Sequence, residues 1–99
     1  MEGPDEVIHQ STRLRIVASL NALGSREMLD FGQLKEMLQV TDGNLATHLT
    51  ALEKAEYVEI IKDFVGKKPR TRALLTAKGR RALRNHVAYL RSVLDGIPG

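Results

Sequence analysis

Apolar positions along this chain recur with two different periods. Between Asp5 and Leu23 they fall three and four apart: Leu14, Val17 and Ala18 make one stripe, and Ile16, Leu20 and Leu23 make another. That spacing predicts a helix over 5–23 with a wide inward face, as a central helix has. Ser11 is placed to cap a break inside it, and Gly24 to end it at the C′ position. Met28 to Asp30 reads as a short extended piece. A short helix follows, with Leu34, Met37 and Leu38 on its inner side, and then a turn from Val40 to Gly43.

The strongest helical pattern lies in "TDGNLATHLTALEKAEY". Leu45, Leu49 and Leu52 face inward, while Gly43, Asn44, Thr47, Thr50, Ala51 and Lys54 occupy the far side. Thr41 or Asp42 caps it, and Asp42 also suits the positive field of a helix start. "YVEIIKDFV" and "RTRALLT" change to the period of β-strands, with Val58, Ile60 and Phe64 on one face and Lys62 interrupting it. A Gly-Lys-Lys-Pro loop joins them into a hairpin. Thr76 caps a last helix over 77–95, lined by Leu83, Val87, Leu90 and Leu94, with Ala82, Tyr89 and Val93 beside them and Gly96 and Pro98 as stops. The fold class is α+β, mainly α: a single domain over 1–99, with an N-terminal helical region (5–23), a helix-turn-helix (32–55), a β-hairpin wing (57–76) and a C-terminal helix (77–95), so that long helices stand at both ends.

Composition adds little until charge is mapped along the chain. The 99 residues carry a net charge of +3. Residues 62–84 hold nine cations against the single acid Asp63, which is +8, and the rest of the chain is therefore −5. One surface seeks anions and the others avoid them. Cysteine is absent, which removes disulfides, thiolate zinc sites and thiol catalysis, and suits a reducing cytoplasm. No apolar run approaches the ~20 residues of a membrane span, and the acidic start lacks the regions of a signal peptide. No P-loop, GxGxxG or nucleophile motif is present, and His9, His48 and His86 are too scattered for a local metal motif. No enzyme, cofactor or metal site is expected.

The charged stretch has chemistry that suits double-stranded DNA. A helix in the major groove needs short donors and acceptors on its outer face. Asn44 can pair with adenine, Thr47 and Thr50 can bond bases or touch a thymine methyl, and Lys54 can reach a phosphate or guanine. His48 lies toward the edge of the Leu stripe. Lys67, Lys68, Arg70, Thr71 and Arg72 are placed on the wing to meet phosphates or a narrow minor groove. Arg80, Arg81 and Arg84 oppose the dipole of the last helix, with no acid on it before Asp95, which points to phosphate as an external partner. A solvated helix face and a hairpin made basic for solubility would also account for these residues.

The "TDGNL" turn, the "HL..LE" helix, the hydrophobic strand, the basic Pro-Arg-Thr wing and the "LT..GR" start of the last helix come in one order over residues 9–95. In that order they resemble small stand-alone winged-helix transcriptional regulators, relatives of the MarR-like and ArsR-like repressors of bacteria and archaea. The resemblance implies sequence-selective binding of duplex DNA as a homodimer, with repression favoured over activation. It places Asn44, Thr47, His48 and Thr50 on the recognition helix and Lys67 to Arg72 on the wing. Terminal helices often pair the subunits in such proteins, which makes Ile8, Leu83, Val87, Leu90 and Leu94 interface candidates. The chain departs from the pattern at Glu56, where glycine is usual, so the recognition helix is expected to end differently. Ala46 and Ala51 replace polar or basic residues, which shifts reliance to the wing. A protein-binding winged helix and a nonspecific architectural nucleic-acid binder are the alternatives. The residues identify no effector ligand.

Overall fold

The computed structural model describes residues 3–24 and 26–96. Its elements are α1 (Ser11–Asn21), β1 (Met28–Asp30), α2 (Phe31–Leu38), α3 (Asp42–Lys54), β2 (Val58–Val65), β3 (Lys68–Leu75) and α4 (Ala77–Leu94). The strands form one antiparallel sheet in the order β1-β3-β2. Four helices and a hairpin-bearing sheet give the expected winged helix-turn-helix, with α2 and α3 as its helix pair.

Polar side chains that compete for backbone donors decide where α1 begins. Residues 6–9 are turn and Gln10 is a bend, so none of 5–10 is helix. The Asp5 carboxylate accepts from the amides of Val7 and Ile8, both at 2.9 Å, and the Gln10 side chain accepts from Arg13 N at 2.9 Å as the N-cap. Such side-chain bonds offer the backbone an alternative to helix. The expected 5–23 helix therefore shrinks to 11 residues. It closes at Ala22, a right-handed cap, so Gly24 has no left-handed role to fill.

The core draws on every helix and all three strands. Ile8, Ile16, Val17, Leu20, Leu34, Leu45, Leu52 and Val58 are almost wholly enclosed, joined by Leu29, Leu38, Leu49, Ala73, Leu75 and Leu83. Two expected members lie outside: Ala18 is exposed, and Met37 is 52% exposed. The short α2 turns only Leu34 and Leu38, four apart, into the interior.

Capping fixes the path from α2 through α3 to α4. Asp30 and Gln33 form a reciprocal capping box at the start of α2. Thr41 accepts from Asn44 N at 3.1 Å to start α3, and Asp42 pairs with Lys35 at 2.8 Å. At the far end Tyr57 N bonds Leu52 O at 3.0 Å and Glu56 N bonds Glu53 O at 2.9 Å. These two bonds make a Schellman motif with Glu56 at the left-handed position, φ 65. The helix thus ends as a glycine-closed one would, contrary to expectation. The Thr76 hydroxyl reaches the Glu56 carbonyl at 2.7 Å and also caps α4 through Gly79 N. Gly79 is required there, because a Cβ would overlap the Tyr57 carbonyl oxygen.

The hairpin is tighter than the four-residue loop expected. Val65 pairs with Lys68, leaving only Gly66 and Lys67 in the turn. Gly66 has φ 64, the left-handed first position that two-residue II′ turns use. Pro69 is tolerated in β3 because β1 covers that strand only at residues 72–74, leaving its other edge free beside Pro69.

Candidate nucleic-acid interface

The helix α3 turns Leu45, Leu49 and Leu52 inward, which leaves Asn44, Thr47, Thr50 and Lys54 exposed. Ala51, expected on that outer side, is half-buried. Thr50 donates its hydroxyl to Ala46 O at 2.9 Å and keeps acceptor capacity outward. His48 is half-buried at the edge of the leucine stripe. Burial, and then the Arg13 charge, hold its pKa below the ordinary histidine value. That direction favours the uncharged imidazole; its Nδ1 is sealed from solvent with no hydrogen-bond partner among the described residues, so any contact with a ligand would fall to Nε2.

Strand register decides which side of the wing meets α3. Val58, Ile60, Lys62 and Phe64 face the same way as their partners Leu75, Ala73, Thr71 and Pro69. Ile60, Lys62 and Thr71 line a cleft of about 180 Å³ with Phe31, Ala46, Leu49, Thr50 and Glu53. The recognition-helix flank and the wing thus share one groove. Lys62 and Glu53 belong to it although neither was named as a DNA contact from the sequence. For Lys62 the signal was available: it breaks an apolar stripe at a position two residues from Ile60.

The opposite side of the wing carries a charge clamp. Asp63 accepts from Arg70 Nε at 2.9 Å and Nη2 at 2.7 Å, and from Arg72 Nη2 at 2.9 Å. The Arg70 hydrogen bonds, followed by the charges of both arginines, hold the Asp63 carboxyl down at about 2. Arg70 and Arg72 were expected to reach freely toward a minor groove; here both guanidinium groups are engaged by the molecule's own acid. The triad retains one net positive charge. Lys67 and Lys68 at the tip are exposed, with no ion pair or hydrogen bond to their side chains among the described residues.

The arginines of α4 lie elsewhere. Arg80, Arg81 and Arg84 surround a hollow with Arg26, Glu59 and Leu74. Glu59 and Leu74 are cross-strand partners on the sheet face that points away from α3. Arg80 also donates to Asn21 Oδ1 at 2.7 Å. The structure therefore joins α3 to the wing but not to this second basic patch.

The interface candidates divide. Ile8 is fully enclosed and Leu83 is 6% exposed, so both serve the core. Val87 and Leu90 are half-buried, whereas Val93 and Leu94 are 55% and 82% exposed. Among the described residues no group of three or more His, Cys, Asp or Glu side chains is placed to hold a metal ion, and no helix is long and apolar enough to cross a membrane.

Comparison with known proteins places this geometry. An uncharacterised protein of Methanocaldococcus jannaschii is 37% identical over 82 residues, which is 83% of this chain and 86% of that protein. The structure of a transcriptional regulator homologue from Pyrococcus horikoshii OT3 superposes with a TM-score of 0.82 at 28% identity, covering 94% of this chain and 89% of that one. A PadR family transcriptional regulator from Eggerthella lenta superposes at 0.70 with 25% identity, covering 92% and 85%. The family model described as a winged helix DNA-binding domain matches residues 12–94, nearly all of α1 through α4, and the chain belongs to that family of DNA-binding transcriptional regulators.

Proposed function

We propose that this chain binds duplex DNA selectively by sequence, as a homodimer, and represses transcription. The observation that carries the reading is the groove shared by the Ala46–Thr50 flank of α3 and the inner side of the wing, with Asn44, Thr47 and Lys54 exposed beside it. Asn44, Thr47 and Thr50, with the neutral His48 at their edge, offer hydrogen-bonding groups suited to base edges in a major groove. Lys54 lies beside them for a phosphate. Lys67 and Lys68 at the wing tip supply free positive charge, and Thr71 and Lys62 line the approach. Arg70 and Arg72, held by Asp63, stiffen the wing and still present a net positive side to the backbone. Arg81 and Arg84 form a separate anion-seeking patch beyond the sheet, away from the proposed major-groove contact.

A two-fold dimer sets two copies of α3 about one helical turn, ~10 bp, apart. Occupation of such a site would exclude other proteins from the same stretch of DNA, which suits repression. Enrichment of random duplexes on the purified protein tests the reading. A selected sequence with inverted half-sites is the expected result, and uniform recovery of all sequences would contradict it. Lys67→Ala with Lys68→Ala should reduce the slope of log K against log salt by about 2.

A further inference from the structure

The tip of the wing exposes apolar surface that the fold does not use. Phe64 is 69% exposed and Val65 57%. The chain has only two phenylalanines, and a core that enclosed one would gain from it. The register explains the exposure: Phe64 continues the side of β2 that carries Val58 and Ile60, but it lies beyond the reach of the core. It pairs across the ribbon with exposed Pro69, directly outside the Lys62–Thr71 pair that lines the groove with α3.

Charge is sorted around this apolar pair. Asp63, the one acid of the hairpin beyond Glu59, points to the other side and is saturated by two arginines. The side bearing Phe64 has Lys62 behind it and the Lys67 turn ahead. An aromatic group flanked by cations that have no ion pair among the described residues, on a ribbon braced by an ion-pair clamp, matches a polyanion with apolar planes inside it. From this geometry we infer that Phe64, backed by Pro69, is a wedge that enters the minor groove of bound duplex DNA and partly unstacks a base step. The inference rests on the DNA-binding reading above. A minor groove is about 6 Å wide, so it must open to admit the tip. Apolar wedges open it in this way, kinking the duplex toward the major groove, the side where α3 would sit.

The test uses the full chain and one duplex recovered by the selection described above, carrying a donor and an acceptor dye at its ends. Wild type should shorten the end-to-end distance on binding. Phe64→Ala should bind roughly tenfold more weakly with an unchanged salt slope, because no phosphate contact is lost, and should leave the duplex straight. Phe64→Leu should keep part of the bend. Lys67→Ala with Lys68→Ala should do the reverse, lowering the slope while the bend persists. Thermal melts of the Phe64 variants should match wild type, since the residue is outside the core. Equal affinity and equal bend for wild type and Phe64→Ala would overturn the wedge and leave the DNA-binding reading intact. So would a Phe64→Ala protein whose sedimentation shows lost self-association while DNA binding is unchanged, which would make the tip a protein contact. If wild type bound no duplex at low ionic strength, both proposals would fail together.

Discussion

Glu56 occupies a backbone conformation that costs an L-residue on the order of 1 kcal/mol. It is held there by the two Schellman bonds and by the Thr76 hydroxyl on its carbonyl, with Lys78 only 3.3 Å from its carboxylate on the exposed surface. Glu56→Gly should therefore stabilise the fold by about 1 kcal/mol, raising the melting temperature by roughly 4–8 °C; a calorimetric scan that showed no rise would mean the strain is absorbed elsewhere. The irregularity of Glu56 was legible in the sequence, since glycine was the expected residue, but its outcome was not. Whether a glutamate is forced into the left-handed region depends on bonds from Thr76, twenty positions away. His48 has the same character: its helical position was readable, whereas its neutrality depends on burial and on Arg13 from another helix.

Among the elements, the wing differs most from its sequence reading. A four-residue loop would have set Asp63 across from Arg72, with Arg70 beside the turn. The two-residue turn moves the register by two residues and sets Asp63 across from Arg70, with Arg72 two residues further along the same face. Strand period and basic character could be read directly; a register that hangs on where Gly66 turns could not. The clamp has a pH signature. The Asp63 pKa is depressed in the folded chain from the ordinary 3.8 to about 2. Its contribution to stability is thus fully present above pH ~4 and is lost as pH falls toward 2. Carbon-13 detected titration should place the Asp63 carboxyl midpoint near 2. In Asp63→Asn the stability gap from wild type should close over the interval between pH 4 and 2. A midpoint near 4 would mean that the arginines do not hold the carboxylate in solution.

At the scale of the whole molecule, α4 runs past the body it helps to build. Its stripe passes from Leu83, 6% exposed, to Leu94, 82% exposed. The periodicity of that stripe was plain in the sequence, but periodicity does not reveal where the neighbouring elements stop. Ile8 presents the inverse: a residue that seemed available to a partner is sealed by a turn built on Asp5. If α4 supplies the proposed dimer contact, Leu94→Asp should shift the protein to the monomer in sedimentation with its far-ultraviolet spectrum unchanged. Affinity for a duplex with two half-sites should fall, while that for a single half-site should not. Persistence of the dimer would move the contact to another face.

The Asp5 turn also ties distant parts of the chain into one knot. Its carboxylate accepts from the Tyr57 hydroxyl at 2.7 Å, and its amide donates to His86 Nδ1 at 3.2 Å. A protease that nicked the backbone just before Ser11 would do more than shorten a tail. It would uncork the interior at Ile8, deprive the phenol of its acceptor and untether the imidazole on α4, so that the start of the chain acts as a latch whose release should be felt at the opposite terminus.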